Sequence, residues 1–205
     1  MEINITDVKS RNILIVGVGG QGTLLAGRAI GNLAAGRGFD VKVSEVHGMS
    51  QRGGSVVTYV KYAESVASPL IEPGEADIII AFELLEAARW MHYLRPGGKA
   101  AVNSQKIDPM PVISGESRYP DGLEATIRAR CPDAVIIDAL SAAIACGSTR
   151  AVNFVLLGAA SAHMGFSQDE WRACIREATP RRGATQRVID INMSAFSAGS
   201  KRTAG

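Results

Sequence analysis

After Asn12 the chain is apolar without a break from Ile13 to Val16, and it then runs into glycine: Gly17-Val18-Gly19-Gly20-Gln21-Gly22. An apolar run of that length, closed by glycine, predicts a buried strand. The next segment, Thr23–Arg37, places Leu24, Leu25, Ala29, Ile30 and Leu33 on one face at helical spacing. Gly27 and Gly31 lower its helix propensity but allow it to lie close on strands. The alternation then recurs. Val41–Val46, Asp77–Phe82, Lys99–Asn103 and Ala134–Asp138 are strand-like, and Glu83–Leu94 is helical. This pattern predicts an α/β fold, a Rossmann-like and mostly parallel sheet with crossover helices. Ser55–Lys61 is also strand-like, but it follows Val41–Val46 too soon for a helical crossover, so it is expected to pair antiparallel with that strand. The last third is helical in pattern over Thr149–Met164, Ser167–Ala178 and Ala184–Phe196, with Ser167 and Glu170 spaced as a capping box. The expectation is one Rossmann-like domain over residues 1–196 and a flexible tail over 197–205.

Composition narrows the classes. In 205 residues, 22 basic and 20 acidic side chains nearly cancel, which argues against a dedicated nucleic-acid binder despite Arg181-Arg182. The three cysteines, Cys131, Cys146 and Cys174, are widely spaced without a C-x-x-C pair. That fits a reducing, cytoplasmic setting and small core residues, and offers no iron–sulfur or zinc framework. The longest apolar runs are interrupted by charge or glycine, so neither a signal peptide nor a membrane span is expected.

Polar residues gather where the carboxyl ends of the strands should lie, which is where open α/β sheets bind ligands. Gly17, Gly19 and Gly22 stand at G-x-G-x-x-G spacing before a helix, so backbone amides and the helix dipole would favour a phosphate or carboxylate. A plain strand-to-helix turn uses the same residues. The segment Glu45-Val46-His47-Gly48-Met49-Ser50-Gln51-Arg52-Gly53-Gly54 concentrates hydrogen-bonding side chains between glycines. His47, Gln51 and Arg52 suit an anion-facing loop, and they equally suit bonds within the loop or at a subunit interface. Glu45 stands about 20 residues past the turn, as a ribose-binding acid would. A loop rather than a second crossover helix follows it, however, and pairing with Arg52 or capping of backbone amides is the commoner role. Glu83 and Glu86 read as helix-start charges complementing the dipole. Trp90 and Trp171 fit helix packing, and His47, His92 and His163 form no ligand cluster. No G-x-S-x-G elbow surrounds Ser141 or Ser161. No catalytic residue and no metal site is assigned.

Gly17–Gly22, then Glu45–Val56, then Ala76-Asp77-Ile78-Ile79-Ile80-Ala81-Phe82-Glu83, in that order, resemble the gamma-type subunit or domain of 2-oxoacid:ferredoxin oxidoreductases. The likeness is nearest to the indolepyruvate branch, among its beta subunits. It covers nearly the whole chain, Asn153–Gly158 and Asn192–Phe196 included. The pairing of the glycine turn with His-Gly-Met-Ser-Gln-Arg-Gly-Gly is its specific part. The resemblance implies a complex that oxidatively decarboxylates an aryl 2-oxoacid such as indolepyruvate, joins the acyl group to coenzyme A and passes electrons to ferredoxin. This chain would be its small subunit, inactive alone, with thiamine diphosphate and the iron–sulfur clusters on a larger partner. Coenzyme A carries several phosphates, so Gly17, Gly19, Gly20, Gln21, Gly22, His47, Gln51 and Arg52 are then expected to face coenzyme A or the partner's catalytic cleft.

Two other classes stay open on the residues. One is a self-sufficient nucleotide enzyme, either an NAD(P)- or flavin-dependent oxidoreductase or an ATP-dependent adenylating enzyme. The other is a subunit that seals a complex without touching ligand.

Overall fold

The computed structural model describes residues 10–48, 53–179 and 185–202. Met49, Ser50, Gln51 and Arg52, the Arg181-Arg182 pair, Ala184 and residues 203–205 lie outside the described residues.

Six strands form one sheet: β1 (Arg11–Val18), β2 (Asp40–His47), β3 (Ser55–Ala63), β4 (Ala76–Ala81), β5 (Leu94–Asn103) and β6 (Val135–Ile137), in the order β2-β3-β1-β4-β5-β6. β1, β4, β5 and β6 run parallel, and β3 pairs antiparallel with both β1 and β2. The expected antiparallel pairing of the third strand is therefore present. Its position has a further consequence, because β3 sits between β1 and β2 and moves β2 to the sheet edge, where it is only half-buried.

Helices cover both faces. On one side α1 (Thr23–Gly36), α5 (Ala139–Ala145), α6 (Val152–Ser161), α7 (Gln168–Ala178) and α8 (Gln186–Ser200) pack over Ile13, Ile15, Val60, Ile78 and Ile80. On the other, α2 (Leu84–Trp90) and α4 (Leu123–Arg130) pack over Leu14, Val16, Ile79, Ala100 and Val102. The strand periodicity of two sends alternate residues to these two cores. In α1 a Cβ on Gly27 would lie 2.8 Å from Thr58 Cγ2, and one on Gly31 would lie 3.2 Å from Val43 Cγ2, so these glycines let the helix lie close on β2 and β3.

Several boundaries differ from the sequence pattern. The helix expected to reach Leu94 stops at Trp90, a 3₁₀ turn spans Met91–Tyr93, and β5 begins at Leu94. The Pro96-Gly97-Gly98 stretch shifts its register against β4 before regular pairing resumes at Lys99. Thr149–Ala151 is a separate 3₁₀ turn ahead of α6. The short α3 (Met110–Ile113), α4 and α5 lacked a clear signal; α4 buries only Leu123 and Ile127 and so carries almost no apolar stripe. Helix α8 runs past the expected tail boundary at residue 196 to Ser200, with Gly199 buried against α6.

The capping box forms as expected: Ser167 N donates to Glu170 Oε2 at 2.7 Å and Glu170 N donates to Ser167 Oγ at 3.3 Å. Glu170 also receives the Arg37 guanidinium, through Nη2 at 2.8 Å and through Nε, which ties α7 to the end of α1. The Arg37 hydrogen bond holds the Glu170 carboxyl down to about 2, from 4.5. A depressed acid stabilises the fold above its unfolded pKa, and that stability is lost as pH falls from 4.5 toward 2. Because the pair is partly solvated, Glu170→Gln should cost about 1 kcal/mol at neutral pH. The cost should vanish at the acid end of that window, which urea unfolding across the pH range would measure.

Candidate functional site

The carboxyl ends of β1, β4 and β5 meet at the glycine turn, and two side-chain amides lace them together. Gln21 Oε1 accepts from Val18 N at 2.9 Å, and its Nε2 donates to the Phe82 carbonyl at 3.0 Å. The same carbonyl accepts from Asn103 Nδ2 at 3.1 Å, while Asn103 Oδ1 accepts from Ala139 N at 3.1 Å. Gln21 thus holds the turn with both ends of its amide. Gly20 and Gly22 have φ of 97° and 84°, conformations that side-chain-bearing residues rarely adopt. Gly22 is the N-cap of α1 and contributes no side-chain cap; Leu25 N turns back to the Gly22 carbonyl at 3.1 Å, which leaves the Thr23 and Leu24 amides for another acceptor.

Beside the turn lies an open cleft of about 530 Å³. Gly20, Gln21, Gly22, Gln105, Thr149, Arg150 and Asn153 supply its polar lining, and Leu25, Phe82, Ile107, Leu140 and Val152 its apolar walls. Among the described residues Arg150 is the only charged one in that lining. It is exposed on the 3₁₀ turn Thr149–Ala151, where Ser148 Oγ accepts its backbone N–H at 3.2 Å. Asn153 Nδ2 reaches the Gly22 carbonyl at 3.5 Å. The cleft can therefore offer a cation, helix-start amides and apolar walls to an anionic, partly apolar ligand. Arg150 was not singled out by sequence pattern. Its only signal was its place three residues before Asn153.

The other expected residues are distributed around this edge. His47 is not part of the cleft lining, and its Nε2 lies 2.7 Å from Glu45 Oε1. Glu45 Oε2 accepts from Thr23 Oγ1 at 3.0 Å and Thr58 Oγ1 at 2.9 Å. Hydroxyls and His47 thus stand where backbone-amide partners were expected, and Arg52, the other expected partner, lies outside the described residues. With β3 inserted, Glu45 stands two strands from β1, roughly 10 Å away along the sheet. It is also turned onto protein hydroxyls, which is poor geometry for gripping a ribose. Gly19 N donates to Gly54 O at 2.9 Å, linking the turn to the second root of the loop.

Glu83 caps α2 as the dipole argument expects, accepting from Glu86 N at 2.8 Å. It is also buried, and it receives Tyr119 Oη at 2.5 Å and Ile107 N at 3.1 Å. Burial and the Glu83 bond push the Tyr119 hydroxyl pKa up, so it stays a donor.

Two of the three thiols are poorly suited to a metal cluster. Cys131 and Cys174 are buried, and desolvation pushes each up to about 11, which keeps them protonated. They donate to the Gly98 and Ala29 carbonyls from separate elements. Among the described residues no group of three His, Cys, Asp or Glu side chains could hold a metal ion, and no helix is long and apolar enough to cross a membrane.

With this geometry in place, comparison with known proteins is specific. The family model for pyruvate ferredoxin/flavodoxin oxidoreductase matches residues 12–202. The indolepyruvate oxidoreductase subunit IorB of Thermococcus kodakarensis is 39% identical over 199 residues, which take in 95% of this chain and 96% of the relative. The gamma subunit of a keto/oxoacid ferredoxin oxidoreductase from Geobacter sulfurreducens shares the fold with a TM-score of 0.66 at 19% identity, over 95% of this chain and 98% of that one. So does the 2-oxoglutarate:ferredoxin oxidoreductase of Magnetococcus marinus, with a TM-score of 0.70 at 20% identity, over 97% of this chain and 32% of that one. The chain belongs to the pyruvate ferredoxin/flavodoxin oxidoreductase family.

Proposed function

We propose that this chain, a small subunit of a 2-oxoacid:ferredoxin oxidoreductase, serves the oxidation of indolepyruvate and presents its glycine-turn cleft to coenzyme A. The observation that carries the reading is the cleft itself, with the Arg150 guanidinium beside the Thr23 and Leu24 helix-start amides at the carboxyl edge of the sheet. Phosphates of coenzyme A match those donors, and the apolar walls suit its less polar portions. Two likenesses support the assignment: the Thermococcus kodakarensis relative is an indolepyruvate oxidoreductase subunit, and the Magnetococcus marinus enzyme was solved with coenzyme A bound. From the sequence, His47, Gln51 and Arg52 join the glycines of the turn on this ligand-facing edge. Thiamine diphosphate, which stabilises the acyl carbanion once bound, and the iron–sulfur clusters are assigned to a larger partner. Cys131 and Cys174, buried and protonated, are poor cluster ligands. The chain's own part is to seat the thiol co-substrate that takes up the acyl group, while the electron pair leaves for ferredoxin.

The test is made on the complex reconstituted with its large partner, following indolepyruvate-dependent ferredoxin reduction. Arg150→Ala should raise the KM for coenzyme A about tenfold, the effect of one lost charged hydrogen bond, with kcat nearly held. An unchanged KM would overturn the reading. Stoichiometric binding of NAD(P) or ATP by the isolated chain would instead favour a self-sufficient nucleotide enzyme.

A further inference from the structure

We propose that Glu86 is a positioning residue for the co-substrate cleft, acting through Ser55 on the glycine turn; the proposal rests on the coenzyme A reading above. Glu86 is 2% exposed, although it lies at an edge where water would be available. A carboxylate withdrawn so far from water is costly unless donors replace its solvation. Three do so: Ser55 Oγ at 2.5 Å, Arg89 Nη1 at 2.7 Å and Trp90 Nε1 at 3.3 Å. Arg89 and Trp90 belong to the same helix as Glu86, α2, and they fix the carboxylate. Ser55 belongs to β3 and is what the fixed carboxylate holds.

Ser55 is the junction of the edge. The β1–β3 ladder ends at the Val18–Ser55 pair. Beyond it, the Ser55 carbonyl accepts from Gly48 N at 3.1 Å, and the neighbouring Gly54 carbonyl accepts from Gly19 N at 2.9 Å. One short, charge-assisted bond to Glu86 therefore sets the strand start from which both roots of the loop and the glycine turn are held. A site held by such supporting bonds loses alignment when they are removed, even though none of them touches ligand.

In the reconstituted complex, Ser55→Ala should raise the KM for coenzyme A about tenfold while kcat changes little, the scale of one hydrogen bond. Ser55→Thr, which keeps the hydroxyl, should restore it, and Glu86→Gln should move KM in the same direction as Ser55→Ala. A matched control is Thr179→Val, which removes a buried bond between Asn192 Nδ2 and Thr179 Oγ1 at 3.1 Å, away from the cleft. It should lower stability and leave KM alone. If Ser55→Ala and Glu86→Gln only lower stability while Arg150→Ala still shifts KM, the positioning role is overturned and the coenzyme A reading stands. If Arg150→Ala also leaves KM unmoved, both fall.

Discussion

Gly158→Ala is expected to leave little folded protein, with a loss of about 4 kcal/mol or more, a large share of a domain's stability. Helices α6 and α8 touch backbone to backbone. A Cβ on Gly158 would overlap the Phe196 carbonyl and lie 2.9 Å from Ser200 N, and one on Gly199 would overlap the Val155 carbonyl and lie 2.9 Å from Ala159 N. Main-chain atoms cannot swing aside as a side-chain tip does, so the helices must part along their length. They carry Phe154, Val155, Leu157, Ala195 and Phe196 in the larger core, and separating them would open it. Gly199→Ala should be comparably severe. Gly36→Ala, at the end of α1 with nothing within 4 Å of the added carbon, should be neutral or stabilising by about 0.5 kcal/mol. Soluble yield and the denaturant midpoint of the three variants would check the ranking. A Gly158→Ala protein as stable as Gly36→Ala would contradict the packing.

That helix contact marks where sequence legibility ends. The apolar run at Ile13–Val16, its glycine stop and the apolar face of α1 are local signals, and local periodicity is enough to specify strand, turn and helix. The antiparallel β3 was legible for a related reason, since a glycine loop is too short for a crossover. Gly158 and Gly199, by contrast, are far apart in the chain and occupy unremarkable helical positions. Their need for a bare Cα exists only once two helices cross. The edge follows the same division. The glycine turn was visible as a motif, and Glu83 as a helix-start acid. Arg150 beside the turn, the Glu45 carboxylate on Thr23 and Thr58, and the Glu86–Ser55 bond each join separate elements, so spacing along the chain carries no trace of them. The burial of Glu83 and Glu86 was hidden for a further reason. An acid at a helix start is ordinarily solvated, and only the fold brings Tyr119 and Ser55 over it.

Gly17→Ala should cost the complex about 100-fold in catalytic efficiency with coenzyme A, the scale expected when a binding edge shifts by an ångström. Gly17 lies in β1 rather than at a positive φ, so its requirement is space. A Cβ there would be 2.8 Å from Gln21 Oε1 and 2.9 Å from Phe82 Cβ. Phe82 is fully buried and its Cβ moves only with the backbone, so the Gln21 amide must give way. Its displacement frees the Val18 N–H and takes one of two donors from the Phe82 carbonyl, undoing the lacing that shapes the turn beside the cleft. Stability should fall by about 2 kcal/mol, enough to measure and small enough to leave assembled complex. Gly20→Ala provides the contrast. Its φ of 97° makes alanine strained by about 1–2 kcal/mol, but nothing lies within 4 Å of the new carbon. The lacing survives, so its stability loss should be similar and its loss of efficiency much smaller. Initial rates across coenzyme A concentrations, with urea unfolding of both variants, separate the two effects. Equal losses of efficiency would mean that the turn tolerates a displaced Gln21, and that backbone strain rather than side-chain lacing governs the site.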